Sequence, residues 1–272
     1  MKKELKILVY LDILFIILLA ISGGLSGAIS EAVYYSAFLL PLLVYFILQA
    51  KGRVAAEQIS VFPTKESFKI SLLLAMPLVA AVFLLSMLTS LIFGFLGISG
   101  GAEPIEKITL SVLISAIAPA VLEELLFRFV PLSMLKGKST RDTVFFTALF
   151  FALAHCSLFQ LPYAFFAGAV FAAADILAGS IWPSLVMHVL NNAVAVFWLR
   201  YGAEAPWLFM LVLLLLALAS LLVMLVLKCR LFARMIELVK DKPTERVTPE
   251  AWVFIFTTVT IMALSLMEAI WK

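Results

Sequence analysis

Long apolar runs, rather than alternating polar and apolar positions, organise this chain. They cover about 7–26, 33–50, 70–96, 108–135, 143–159, 161–178, 181–199, 206–227 and 251–270. A membrane-crossing helix needs on the order of 17–25 mostly apolar residues. The pattern therefore predicts an all-α polytopic transmembrane bundle of about eight or nine spans. No repeat divides it, and no polar tract marks a soluble domain. The start, MKKELK before an apolar stretch, has the outline of a signal peptide. Asp12 interrupts that stretch, so the first run is expected to be a retained span.

Composition agrees. Hydrophobic residues make up 64% of the chain and charged residues 14%, with a mean hydropathy of +1.14. Soluble domains are roughly 45–50% apolar. The net charge of +3 is small, and the bases sit in loops rather than on one face, which argues against a nucleic-acid partner. Cys156 and Cys229 are too few to form a disulfide framework.

Charge also orients the spans. Lys2, Lys3 and Lys6, then Lys51, Arg53, Lys65 and Lys69, then Lys136, Lys138 and Arg141 fall at one end. Lys228, Arg230, Arg234, Lys240, Lys242 and Arg246 join them. The other end holds only Lys107 and Arg200, with Lys272 at the tail. The positive-inside rule puts the N-terminus in the cytoplasm and the C-terminus outside. Residues 229–242, CRLFARMIELVKDK, place Arg230, Arg234, Glu237 and Asp241 together on a helix, as an element lying on cytoplasmic headgroups would.

The chemistry lies in polar residues inside the apolar runs. A charge at the centre of a span costs about 2.5–3.5 kcal/mol on insertion scales, so such residues face the protein interior. The fourth run contains EELLFR. Glu124 and Arg128 are one turn apart and can pair. Glu123 is rotated by about 100° and need not share that arginine, which leaves it able to exchange a proton. Pro119 can kink the helix just before them. The only two histidines are His155, one turn after Phe151, and His188, one turn before Asn192. At about 1.5 Å per residue, Glu123 and His155 each lie roughly 18 Å from the end that bears the basic loops, and His188 and Asn192 roughly 10–16 Å. Carboxylate, imidazoles and carboxamide thus share one membrane layer. Asp175, near the end of the sixth run, reads as an interfacial residue.

Three separated motifs, EExxxR (Glu123, Glu124, Arg128), FxxxH (Phe151, His155) and HxxxN (His188, Asn192), resemble those of the CPBP family of intramembrane proteases. That family includes the type II CAAX prenyl endopeptidases and the bacteriocin-processing or immunity (Abi) proteins. The resemblance covers about 108–199. It implies a catalytic core there, among spans four to seven, between N-terminal helices at 1–107 and C-terminal helices at 200–272. It also implies a chamber reached from the cytoplasmic side.

By the same resemblance, Glu123 with His155 activates the attacking water. His188 and Asn192 hold the oxyanion, and Glu124, Arg128 and Phe151 support the site. Metal dependence stays open: Glu123, His155 and His188 could ligate zinc and leave a position for water. The implied substrate is a lipidated or membrane-associated peptide in contact with membrane lipids, with CAAX-type release of a C-terminal tripeptide as its leading form. A processing protease with no prenyl requirement, a proton-coupled transporter and a catalytically silent scaffold are the alternatives. A transporter would show inverted repeats and matched broken helices, and neither is seen.

Overall fold

Polar breaks in the apolar pattern set where the helices stop. The computed structural model describes residues 2–54, 59–95, 97–98, 109–202, 204–227, 229–240 and 248–271, with backbone alone at 110, 111, 113, 115 and 265–271. Lys107, Lys228, Asp241, Lys242, Arg246 and Lys272, and the expected boundary at 107–108, lie outside these residues. Within them, α1 (Lys2–Gly23), α2 (Gly27–Ala50) and α3 (Lys65–Phe95) precede α4 (Leu110–Glu124). A π-helical turn, Leu125–Phe129, joins α4 to α5 (Val130–Met134). Then come α6 (Thr140–Ala154), α7 (Leu161–Ala178), α8 (Trp182–Tyr201), α9 (Pro206–Val226), α10 (Leu231–Leu238) and α11 (Pro249–Trp271).

The result is an all-α polytopic bundle, as the apolar runs predict. Helices α1, α2, α3, α7, α8 and α9 are each long and apolar enough to cross a membrane. Their outward surfaces are apolar too: on α9, Leu215 is 54% and Leu222 59% exposed. Such a surface suits lipid and would not persist in water, so this is an integral membrane protein.

Two runs depart from simple spans. The fifth ends at Ala154, five residues before the apolar signal does, and its helix has only 15 residues. At the α-helical rise that is about 22 Å, short of the roughly 30 Å hydrocarbon core. His155 ends it by turning back on its own helix, and Cys156 takes a left-handed φ of 48°. The fourth run is broken by its π turn, where Val130 N–H donates to Leu125 O.

Pro131 explains part of that break. It has no N–H for the carbonyl four residues earlier, that of Phe127. Arg128 Nη1 donates to this carbonyl at 2.8 Å. The proline thus leaves an acceptor inside the membrane that the arginine satisfies.

Helix α6 packs along α7, α4 along α8, and α3 against α7, α8 and α9. Small residues allow the closest approach. A Cβ added at Gly168 on α7 would lie 3.0 Å from Ala148 Cα and 3.3 Å from Phe151 Cδ1. Gly168→Val should therefore force α6 and α7 apart, at the roughly 1–3 kcal/mol typical of overpacking. Thermal unfolding in detergent should show a lower Tm, with Gly168→Ala intermediate; an unchanged Tm in both would contradict this packing.

The amphipathic segment forms α10. Leu231 and Met235 are buried in the same apolar cluster as Ile70 and Leu74, and Arg234 Nη1 pairs with Glu66 Oε1 at 3.0 Å.

Candidate active site

Helix α4 delivers Glu123 and Glu124 beside α8. The Glu124 carboxylate is fully buried, with Oε2 3.5 Å from Arg128 Nε. Its Oε1 accepts from His188 Nδ1 at 2.7 Å. His188 Nε2, on the far side of the ring, lies 3.7 Å from Glu123 Oε2. One imidazole therefore stands between two adjacent glutamates. Glu123 Oε2 is buried and accepts no hydrogen bond among the described residues.

Aromatic rings hold the cation and both histidines. The Arg128 guanidinium lies 4.2 Å from the Phe151 ring centroid and 5.3 Å from that of Phe171. Such cation–π contacts favour a buried guanidinium, whose delocalised charge is weakly hydrated. Phe151 also meets His155 edge-on at 4.8 Å and His188 at 5.7 Å, and Phe171 stacks on His188 at 5.6 Å. Phe151 is thus the hub between the motifs.

His155 is fixed by its own helix. Its Nδ1 lies 2.8 Å from Phe151 O. A carbonyl only accepts, so Nδ1 carries the proton and Nε2 keeps its lone pair. Asn192 Nδ2 donates to Ala116 O at 3.0 Å, in the α4 turn before Pro119. One of its amide hydrogens and its carbonyl oxygen remain for other partners.

A cavity of about 210 Å³ is lined by both histidines and Asn192, while Glu123, Glu124 and Arg128 are not among its lining residues. Phe151, His155, Phe171, His188, Asn191 and Asn192 line it, with Val79, Val82, Phe83 and Ser86 of α3 as a further wall. The expected residues therefore converge. Glu123 is in ion-pair reach of His188, whereas the resemblance pairs it with His155. Among the described residues, no three His, Cys, Asp or Glu side chains come close enough together to hold a metal ion. The set, as described, does not fit a zinc centre.

Three contributors were missed from the sequence. Phe171 looks like any core aromatic there, and the α3 wall has no polar residue but Ser86. Asp175, expected at the interface, is instead fully buried. Its Oδ1 accepts from Ser184 N at 2.9 Å and so caps the start of α8 from a neighbouring helix. An acidic residue separated by a Gly-Ser turn from a Trp-Pro helix start was the available signal. Asp175→Ala should cost about 1 kcal/mol, the usual effect of losing a cap. Asp175→Asn, which keeps an acceptor, should cost less; equal melting temperatures for wild type and Asp175→Ala would refute the capping role.

The fold and site together define a polytopic membrane protein with a buried acid–base cluster inside the bilayer. Residues 105–194 match the family model described as "Type II CAAX prenyl endopeptidase Rce1-like". Over that third of the chain the protein is similar to the intramembrane proteases of the CAAX endopeptidase kind, in the CPBP family. It matches no curated protein and no solved structure.

Proposed function

We propose that the chain hydrolyses a peptide bond of a lipidated or membrane-associated peptide, in the CAAX manner, releasing a C-terminal tripeptide. The observation that carries this is the buried Glu123 Oε2, which accepts no hydrogen bond among the described residues, lies 3.7 Å from His188 Nε2 and is backed by the Glu124–Arg128 pair. In this reading the core at 108–199 does the chemistry, and the helices at 1–107 and 200–272 frame it.

Water is a poor nucleophile and needs a base. Glu123 has an acceptor oxygen with no other duty, and His155 Nε2 has a free lone pair. Between them they take the proton of the attacking water. The water oxygen bonds to the scissile carbonyl carbon, and the carbonyl electrons move onto oxygen. That oxyanion needs fixed donors in a place that excludes water. The second amide hydrogen of Asn192 is one; a proton on His188 Nε2, with Glu124 holding the opposite nitrogen, is the other. When the C–N bond breaks, the proton returns to the leaving amine. The products are a new carboxylate and a free tripeptide. Arg128 and Phe151 act through Glu124 and the imidazoles, as positioning residues.

Purified protein incubated with a farnesylated CAAX peptide, and with the same peptide unlipidated, tests this by mass spectrometry. Tripeptide from the farnesylated peptide alone supports the full reading. Tripeptide from both supports peptide hydrolysis without a prenyl requirement. No cleavage of either, or of unlipidated membrane peptides, would overturn the hydrolase assignment to these residues. A chelator arm tests the derivation without metal: full activity in its presence is expected.

A further inference from the structure

The basic end of the bundle holds a second cavity, of about 260 Å³, between the start of α3, the end of α9 and the start of α10. Lys69, Ile70 and Leu73 line it from α3, and Leu227, Arg230 and Arg234 from the other side. At the helical rise, Lys69 lies about 15 Å along α3 from Val79 of the active-site cavity. Cys229 N–H donates to Met224 O at 2.8 Å, which closes α9 and turns the chain into α10. Ser220 Oγ of α9 donates to Leu73 O at 2.7 Å and so ties α9 to α3. The lining is sorted by polarity. Lys69, Arg230 and Arg234 are exposed at the rim, whereas Ile70, Leu73 and Leu231 are buried below them. Arg234 is paired with Glu66. Lys69 and Arg230 have no ion pair among the described residues, so two positive charges at this rim stay uncompensated there.

Helix α10 carries two apolar stripes, and only one is covered by protein. Leu231 and Met235 belong to the cluster that contains Ile70 and Leu74 of α3 and Phe171 of α7. Phe232 is 44% and Ile236 57% exposed, one turn apart on another side of the helix, with Val239 following them. Phe68 of α3, beside Lys69, is exposed as well. An amphipathic helix of this kind lies in the membrane interface, with its free apolar stripe at the acyl boundary. That placement sets Arg230 and Arg234 at the level of the lipid phosphates.

We propose that this cavity binds the headgroup of an anionic phospholipid from the leaflet that borders the basic loops. The lipid phosphate would sit among Lys69, Arg230 and Arg234, and the acyl chains would run past Leu73 and Leu227. A guanidinium offers a planar fork of donors that matches phosphate oxygens. A net negative headgroup satisfies the charge that Glu66 leaves over. A zwitterionic headgroup brings its own ammonium toward Lys69 and Arg230 and fits less well. Basic pockets between helices at a membrane surface take such headgroups. The bound lipid would hold α10 on α3. Because Phe171 is in the same apolar cluster and also lines the active-site cavity, occupancy braces one wall of that cavity. Nothing in this inference depends on the protease reading.

The test uses full-length protein, delipidated in a neutral detergent and titrated with phosphatidylglycerol, phosphatidylcholine or inorganic phosphate. Phosphatidylglycerol should raise Tm by about 3 °C or more over phosphatidylcholine at equal mole fraction, as a ligand of the folded state does. Inorganic phosphate should give no shift. Lys69→Gln/Arg230→Gln should melt with wild type in phosphatidylcholine and lose most of the phosphatidylglycerol shift. Lys136→Gln/Lys138→Gln, on another basic loop, should keep it. Equal shifts from both lipids, a full shift from inorganic phosphate, or equal loss of the shift in the two double variants would overturn the inference. A local readout covers the case in which Lys69→Gln/Arg230→Gln fails to fold. Cys156→Ala leaves Cys229, which lines the cavity, as the sole thiol. Phosphatidylglycerol should slow its reaction with a maleimide several-fold relative to phosphatidylcholine; equal rates in the two lipids would overturn the site.

Discussion

Glu123→Gln folds normally and loses peptide hydrolysis, with kcat lowered on the order of 10²–10⁴-fold, the range ascribed to a positioned acid or base. Glutamine keeps the shape and one acceptor oxygen but cannot take a proton. The replaced Oε2 makes no hydrogen bond in the protein, so the exchange breaks no structural contact of that kind. KM should therefore change little. Single-turnover measurements on purified wild type and variant, with melting curves alongside, check this. A variant retaining wild-type kcat would remove Glu123 from the chemistry and shift attention to His155 Nε2 as sole base.

Arg128→Met has the opposite signature, a loss of stability before any loss of mechanism. Glu124 and Arg128 are both wholly buried. Removing the cation strands the carboxylate, and breaking a buried pair from one side costs about 3–5 kcal/mol. The Phe127 carbonyl freed by Pro131 also loses its donor. A fall in Tm on the order of 10 °C is expected. The double variant Glu124→Gln/Arg128→Met should recover part of that loss, because no charge is then left unpaired. A single variant as stable as wild type would mean that the pair contributes nothing to the fold. Arg128→Lys should restore charge but little else, since an ammonium cannot place a planar group between Phe151 and Phe171.

How far the sequence carried is clearest residue by residue. Glu123, Glu124, Arg128, His155, His188 and Asn192 stand out because polar groups are expensive in an apolar run and so need a reason. Their common depth follows from helical rise alone. The partners contributed by other helices do not, because they lie at separations such as the 64 residues between Glu124 and His188. Hydropathy is averaged over a window of about 20 residues. It therefore hides the end of α6 at Ala154 and the π turn at Leu125–Phe129. The consequence of Pro131 was readable in principle, but Arg128 as its remedy required the turn to be seen. The placement of residues 59–62 across the turn between α7 and α8 had no signal. Its order comes from backbone bonds to the α7–α8 turn, and backbone groups hardly differ from residue to residue.

Isotope labelling is the most direct measurement of the central claim, that buried Glu123 and its histidine neighbours activate water to cut a peptide. Wild type and Glu123→Gln would be incubated in ¹⁸O water with the farnesylated peptide and its unlipidated counterpart, and both fragments weighed. The account predicts one ¹⁸O in the newly formed carboxylate in a single turnover of wild type, none in the released tripeptide, and no fragments from Glu123→Gln in the same interval. Fragments appearing equally from both proteins, or no cleavage of either peptide by folded wild type, would contradict it.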